Sequence, residues 1–195
     1  MNLSVPVVDV LSDEAILVEH ARDGDTGAFG ELVRIHHQKV IDLVFRMYGD
    51  ISLAEDVAQE TFIRAWQKLP SYEPRSSFRN WLYRIAANLA VDSLRREVGK
   101  SESLDETLHT SEKKPETVVA EAEVSEQVQR AILALPPASR IVLVLRVYED
   151  LSYQEISSTL DIPVGTVMSR LNYARTSLRQ MLKETLLKTE DVFYE

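Results

Sequence analysis

Between Thr166 and Arg175 the chain carries Ser169, Arg170, Tyr173 and Arg175 on the outer side of a segment whose inner side is apolar. Hydroxyl and guanidinium groups so placed can hydrogen-bond base edges and phosphates in a DNA groove, provided a second helix and a short turn hold them rigidly. Both are encoded just upstream. Ser152 and Glu155 have the S-x-x-E spacing of a capping box, in which each side chain takes a backbone N–H that a helix start leaves unpaired. Ile156 and Leu160 then face inward, and Asp161-Ile-Pro-Val-Gly165 ends the helix, because proline lacks a donor and glycine relaxes the turn. Thr166 is expected to cap the next helix, where Val167, Leu171, Ala174, Leu178 and Met181 recur as a buried stripe. This is a helix-turn-helix pattern, and no acid interrupts Arg170, Arg175, Arg179 and Lys183.

A second constellation pairs two carboxylates, Asp56 and Glu60, one helical turn apart. Such a pair can serve as general acid and base, yet no nucleophile, metal partner or phosphate loop accompanies it. Ala54, Val57, Ala58, Thr61, Phe62, Ala65, Trp66 and Leu69 supply the inward stripe of this helix, which Ser52 and Glu55 are expected to cap. Its opposite side presents Asp56, Gln59, Glu60, Ile63 and Arg64, and an isoleucine set in a charged rim fits a surface that docks a protein. Further on, Tyr72 lies in a proline- and serine-rich loop and a helix starts at Phe78. There Phe78, Trp81, Leu82, Ile85, Ala86, Leu89 and Leu94 can turn inward, while Asn80, Tyr83, Arg84, Ala87, Asn88, Val91 and Arg95 line another side. Aromatic, amide and guanidinium groups on that side suit a single strand, with bases stacked and phosphates held.

The elements that must position these groups are all helical. Scarce glycine and proline and 45% hydrophobic residues suit packed helical cores. The reading is an all-α chain of two small domains, residues 1–97 and 123–195, joined by a flexible acidic linker over 98–122. Ile132, Leu133, Ile141, Val142, Val144, Leu145 and Val147 are expected to form the core beneath the helix-turn-helix. There is no cysteine, which excludes disulfides and thiolate metal sites. The adjacent His36 and His37 point to different helical faces and cannot share a metal, so no metal or cofactor is expected. No apolar run approaches a membrane span, and a cytoplasmic protein without membrane insertion is expected. The formal charge of −9 opposes tight binding to free DNA, but the acids cluster near the start and in the linker. Arg64–Arg96 and Arg170–Lys183 are mostly basic, and local fields decide where a polyanion lands. The negative total implies a larger basic partner that supplies affinity.

Three motifs stand in order: Ala54-Glu-Asp-Val-Ala-Gln-Glu-Thr-Phe-Ile-Arg-Ala-Trp66, Phe78-Arg-Asn-Trp-Leu-Tyr-Arg-Ile-Ala-Ala-Asn88 and Ile162-Pro-Val-Gly-Thr-Val-Met-Ser-Arg-Leu171. Together they resemble bacterial RNA polymerase sigma factors of the extracytoplasmic-function type. The resemblance implies a protein, not an enzyme, that binds core RNA polymerase and starts transcription at bipartite promoters in a stress or envelope response. It implies polymerase contacts at Asp56, Gln59, Glu60, Ile63 and Arg64. It assigns single-stranded −10 DNA to Tyr72, Phe78, Asn80, Tyr83, Arg84 and Asn88, and duplex −35 DNA to Thr166, Ser169, Arg170, Tyr173 and Arg175. An anti-sigma factor is implied as a further partner. Many members carry a basic residue in place of Met168, and often of Tyr173. The residues alone also admit a regulator that binds duplex DNA without polymerase.

Overall fold

The computed structural model describes residues 10–74, 76–101 and 119–192. Among them are eight α-helices and no strand: α1 (Val10–Arg22), α2 (Thr26–Tyr48), α3 (Ile51–Lys68), α4 (Phe78–Ser101), α5 (Val119–Leu133), α6 (Pro137–Val147), α7 (Tyr153–Leu160) and α8 (Val164–Val192). A 3₁₀ turn, Leu69–Ser71, leads from α3 toward α4. The 98–122 segment read as a linker is helical at both ends, since α4 runs through Ser101 and α5 begins at Val119. Its middle, 102–118, lies outside the described residues.

Helix boundaries follow local chemistry. Asp25 caps α2, its Oδ1 accepting from the N–H groups of Gly27 at 2.8 Å and Ala28 at 3.1 Å. That helix ends at Gly49, whose φ of 75° is a left-handed value and whose N–H returns to the Phe45 carbonyl at 2.7 Å. The expected Ser52–Glu55 box does not start α3. Asp50, two residues earlier and in extended conformation, accepts from Leu53 N–H at 3.0 Å, which leaves Ser52 inside the first turn.

Helices α1 to α4 pack on one another around Leu32, Leu43, Met47, Ala58 and Leu82, all fully buried. Helices α5 to α8 surround Ile132, Leu145, Leu151, Ile156 and Val167. His36 is buried while His37 is exposed and stacked on Phe62, as adjacent helical positions require. Val147, expected in the C-terminal core, is 52% exposed because it ends α6 beyond the buried run Ser139–Leu145.

The two helical units share a packed boundary. Helix α2 meets α5 and α6, and α4 meets α6 and α7, so that one buried apolar cluster is continuous across both units. Arg140 of α6 is 7% exposed and donates to the carbonyls of Leu133, of Leu135 at 2.9 Å, and of Met47 at the far side of the boundary. Burial pulls its pKa down from the ordinary arginine value. Carbonyls near the C-terminal ends of α2 and α5 supply the negative potential that holds the charge. Alongside, the Arg46 guanidinium lies 3.5 Å from the Tyr148 ring centre, a cation–π contact between the units. Gly49 closes the seam: a Cβ there would stand 2.5 Å from Cδ1 of Leu133.

Candidate nucleic-acid and protein interfaces

The helix-turn-helix is built as its residues require, with two local differences. Ser152 N–H donates to Glu155 Oε2 at 2.8 Å and Glu155 N–H to Ser152 Oγ at 3.2 Å, so the capping box is complete. The carboxyl of Glu155 is held below the usual glutamate range, first by the Ser152 main-chain N–H, then by the Ser152 hydroxyl and by Asn80. Helix α7 ends at Asp161 in left-handed conformation, φ 54° and ψ 49°, and Ser157 secures the turn by donating to the Ile162 carbonyl at 2.6 Å. The left-handed residue is thus Asp161, a type that tolerates this region, and not Gly165, which already lies inside α8. Nothing lies within 4 Å of where a Gly165 Cβ would stand. Thr166 does not cap α8. The Pro163 carbonyl accepts from the N–H groups of Thr166 at 2.9 Å and Val167 at 3.1 Å, and the Thr166 carbonyl accepts from Ser169 Oγ at 3.1 Å.

Val167, Leu171 and Ala174 are buried beneath this helix, and Leu178 and Met181 are partly covered. Ser169, Tyr173 and Arg175 are exposed, and Thr166 and Arg170 are half-buried. Thr166, Ser169, Arg170 and Tyr173 follow one another down one side of α8, whereas Arg175, nine residues after Thr166, lies about half a turn away around the helix, on the side of Met168, which is 54% exposed. A surface of hydroxyls, a phenol and guanidiniums on a rigid helix can donate to base acceptors and phosphate oxygens.

The outward face of α3 is likewise open. Asp56, Gln59, Ile63 and Arg64 are exposed and Glu60 is half-buried. Arg64 Nε bonds Glu60 Oε1 at 2.7 Å across one turn. Beside them runs a groove of about 670 Å³ between α2 and α3, floored by Phe29, Val33, Phe62 and Trp66 and edged by Gln59 and Ile63. Sequence reasoning found the edge and missed the α2 side, because Phe29 and Val33 fall on the core stripe of their own helix. An apolar trough with a charged rim is suited to take the apolar stripe of a partner helix.

The third face departs furthest from expectation. Tyr72, Phe78, Asn80 and Tyr83 are buried, Arg84 is half-buried and Asn88 is exposed. Tyr72, Phe78 and Trp81 form an aromatic cluster, with Tyr72 to Trp81 at 4.9 Å and Phe78 to Trp81 at 5.5 Å. It ties the 3₁₀ turn to α4, and the Tyr72 hydroxyl donates to the Ser76 carbonyl at 2.8 Å. Both sides of α4 are covered, the second by the C-terminal unit, and this is why Asn80, Tyr83 and Ala87 are not on an open surface. The side chain of Arg95 lies outside the described residues.

Three acids of the C-terminal unit meet that second side. Tyr83 donates its phenol proton to Glu149 Oε2. Asn80 Nδ2 donates to Glu155 Oε1 at 3.4 Å, and Arg84 Nη2 is 3.1 Å from Asp161 Oδ2. Desolvation raises the pKa of Tyr83, with the Glu149 hydrogen bond adding to it. Desolvation also raises Glu149, against the Tyr83 hydroxyl and the cations Arg79, Lys39 and Arg46. Only Arg84 and Asn88 keep access to an open cleft of about 230 Å³, shared with Arg64, Lys68 and Trp81. The contacting acids carry no local motif, so sequence reasoning missed them. Arg140 was discoverable as the cation at the head of the apolar run Ile141–Leu145.

Among the described residues no helix is long and apolar enough to cross a membrane, and no group of three metal-binding side chains converges. A helix-turn-helix joined to a second helical unit with an open apolar groove defines a DNA-binding protein class with a built-in protein-docking surface. Residues 32–99 match Sigma-70 region 2 and residues 125–178 match Sigma-70, region 4. The chain is 38% identical over 178 residues to the ECF RNA polymerase sigma factor SigW of Bacillus subtilis, covering 86% of this chain and 95% of that one. It is 35% identical over 181 residues to the RNA polymerase sigma-H factor of Pseudomonas aeruginosa, covering 87% and 94%. Among solved structures it resembles CnrH in complex with the cytosolic domain of CnrY, with a TM-score of 0.67, 28% identity and coverage of 88% and 98%. The fold also matches RpoE of Bartonella quintana bound to the anti-sigma factor NepR, with a TM-score of 0.64, 23% identity and coverage of 80% and 96%. The chain belongs to the extracytoplasmic-function family of RNA polymerase sigma factors.

Proposed function

We propose that this sigma factor divides its work among the three faces described. The outer face of α3, through Asp56, Gln59, Glu60, Ile63 and Arg64, docks core RNA polymerase. The outer face of α8, through Thr166, Ser169, Arg170, Tyr173 and Arg175, reads the −35 element as duplex. Helix α4 and the loop before it, through Tyr72, Phe78, Asn80, Tyr83, Arg84 and Asn88, receive the −10 element as single strand. In this reading the unit boundaries are those expected from sequence, 1–97 and 123–195. The observation that carries the reading is the open apolar groove beside Ile63, in the same chain as an exposed recognition helix.

The work is binding alone, with no active site. Unstacking duplex costs a few kcal/mol per step, and side chains that hold extruded bases offset it without hydrolysis. A chain of net charge −9 gains little from free duplex, so promoter binding depends on the polymerase it accompanies. A protein that works with the polymerase is proposed to act in the cytoplasm. CnrH and RpoE are seen with CnrY and the anti-sigma factor NepR, and an anti-sigma factor is proposed here as the partner that competes for the same surfaces.

The test is run-off transcription on genomic fragments with purified core polymerase. New start sites are expected only with the protein present. A duplex shift by the protein alone, with no start site on adding polymerase, would instead establish a regulator acting without polymerase.

A further inference from the structure

We propose that the C-terminal unit is an internal latch on the −10 face: Glu149, Glu155 and Asp161 occupy Tyr83, Asn80 and Arg84, the side chains that a melted strand needs. The proposal rests on the assignment of that strand to α4. It adds that the free chain is closed and must part along the α4–α7 boundary before the strand can enter.

Three observations converge. The first is which groups are paired. Each of the three polar side chains on the covered side of α4 meets a carboxylate, and the three carboxylates come from the α6–α7 connection, the first turn of α7 and its C-terminal cap. A carboxylate oxygen offers these donors the same acceptor chemistry as a phosphate oxygen. Its charge also repels the backbone it displaces. Strand and latch are therefore mutually exclusive.

The second is coverage. Tyr83 has no exposed surface and Asn80 has 4%, so no base or phosphate reaches them with the units in contact. The boundary is fastened elsewhere too, by Arg140 on the Met47 carbonyl, Arg46 on Tyr148 and Gln129 Nε2 on the Phe45 carbonyl at 3.5 Å. None of these fastenings uses the outer faces of α3 or α8. Both remain open for polymerase and duplex while the latch is shut.

The third is that the latch is built to release. Asn80 Oδ1 is buried without a partner, and its Nδ2 bond is long. The Arg84–Asp161 pair is partly in solvent, where an ion pair is weak. Glu149 is half-buried against α4, and opening returns its carboxylate fully to water. A closed state so fastened yields to a ligand that binds only the open one, and the apparent affinity for that ligand falls by the fraction of chains that are open.

The experiment uses the full chain and the variant Glu149→Ala/Asp161→Asn. Alanine leaves the buried Tyr83 hydroxyl without an acceptor only when closed. Asparagine keeps the left-handed cap of α7 while removing the charge facing Arg84. Hydroxyl-radical footprinting reads Tyr83, and run-off transcription with core polymerase gives the protein concentration for half-maximal product. In the free parent Tyr83 should be protected. In the variant it should become reactive, with half-maximal product at a concentration lower on the order of tenfold. Tyr83 as reactive in the free parent as in the denatured chain overturns the latch. So does a variant with unchanged footprint and unchanged half-maximal concentration. Absence of run-off product from both proteins refutes the sigma reading instead, and the Tyr83 footprint still decides whether the units are closed.

Discussion

Replacing Arg140 with alanine should cost about 3 kcal/mol of stability and separate the unfolding of the two helical units. The magnitude follows from the three carbonyls it serves, those of Met47, Leu133 and Leu135. At about 1.5 kcal/mol each, the low end for a bond to a charged donor, they sum to about 4.5 kcal/mol. Some of this returns, because the variant no longer desolvates a guanidinium and water can enter the space to bond the carbonyls. Arg140→Met keeps most of the packed volume and none of the hydrogen bonds, so it should lose about 2 kcal/mol. Urea titration of each full-length protein, followed by far-ultraviolet circular dichroism and by tryptophan fluorescence, separates the outcomes. Trp66 and Trp81 both lie in the N-terminal unit, so fluorescence follows that unit while dichroism follows both. Coincident transitions are expected in the parent and diverging ones in the variants. An Arg140→Met protein as stable as the parent, with the two probes still coincident, would show that neither the carbonyl bonds nor the link between units does what is claimed.

Ile63→Asp should weaken co-purification with core polymerase by tenfold or more, in the manner of a docking anchor, with helical content unchanged; undiminished co-purification removes Ile63 from the interface. Arg170→Ala should cost about 1–3 kcal/mol on −35 duplex if the guanidinium meets a base edge, whereas an equal loss on scrambled duplex makes it a phosphate contact. The carboxyl of Glu155, held low by Ser152 and Asn80, stabilises α7 above the ordinary glutamate range and loses that effect as pH falls through its depressed pKa. Carbon-13 titration should place it below the ordinary glutamate range, with amide protection of α7 lost in step, and a titration at the ordinary value contradicts the capping geometry. Gly49→Ala meets both a φ of 75° and the 2.5 Å approach to Leu133, so a melting point lowered by several degrees is expected, and an unchanged one would mean that the seam readily yields.

Where a residue's fate depends on neighbours within a turn or two, the amino-acid order was enough. Ser152 and Glu155 form the box their spacing announces, Val167, Leu171 and Ala174 go inward, and His36 parts from His37. The same rule applied to Ser52 and Glu55 failed, because Asp50 competes for the same orphan N–H groups and wins by sitting where the backbone is still extended. Gly165 invited a turn that Asp161 makes, since a carboxylate side chain also tolerates left-handed backbone. The larger miss is Tyr83 and Asn80. Their polarity and the alanines around them fit an exposed face. Their burial comes from partners 66 and 75 residues later in the chain, beyond the reach of any periodicity. The α3 docking edge was legible in Ile63, while its groove needed α2 laid alongside.

The two left-handed aspartates, Asp150 and Asp161, bracket α7 like stops on a ruler. Eight helical residues at about 1.5 Å each hold Glu149 and Asp161 a set span apart, and that span meets Tyr83 and Arg84 on α4. Inserting one residue between Tyr153 and Leu160 would lengthen the span by about 1.5 Å and turn Asp161 by about 100° around the helix axis. The recognition helix would keep its own side chains in register while the acids lost theirs. The length of α7 is therefore, beside the acids themselves, what matches one helical unit to the other.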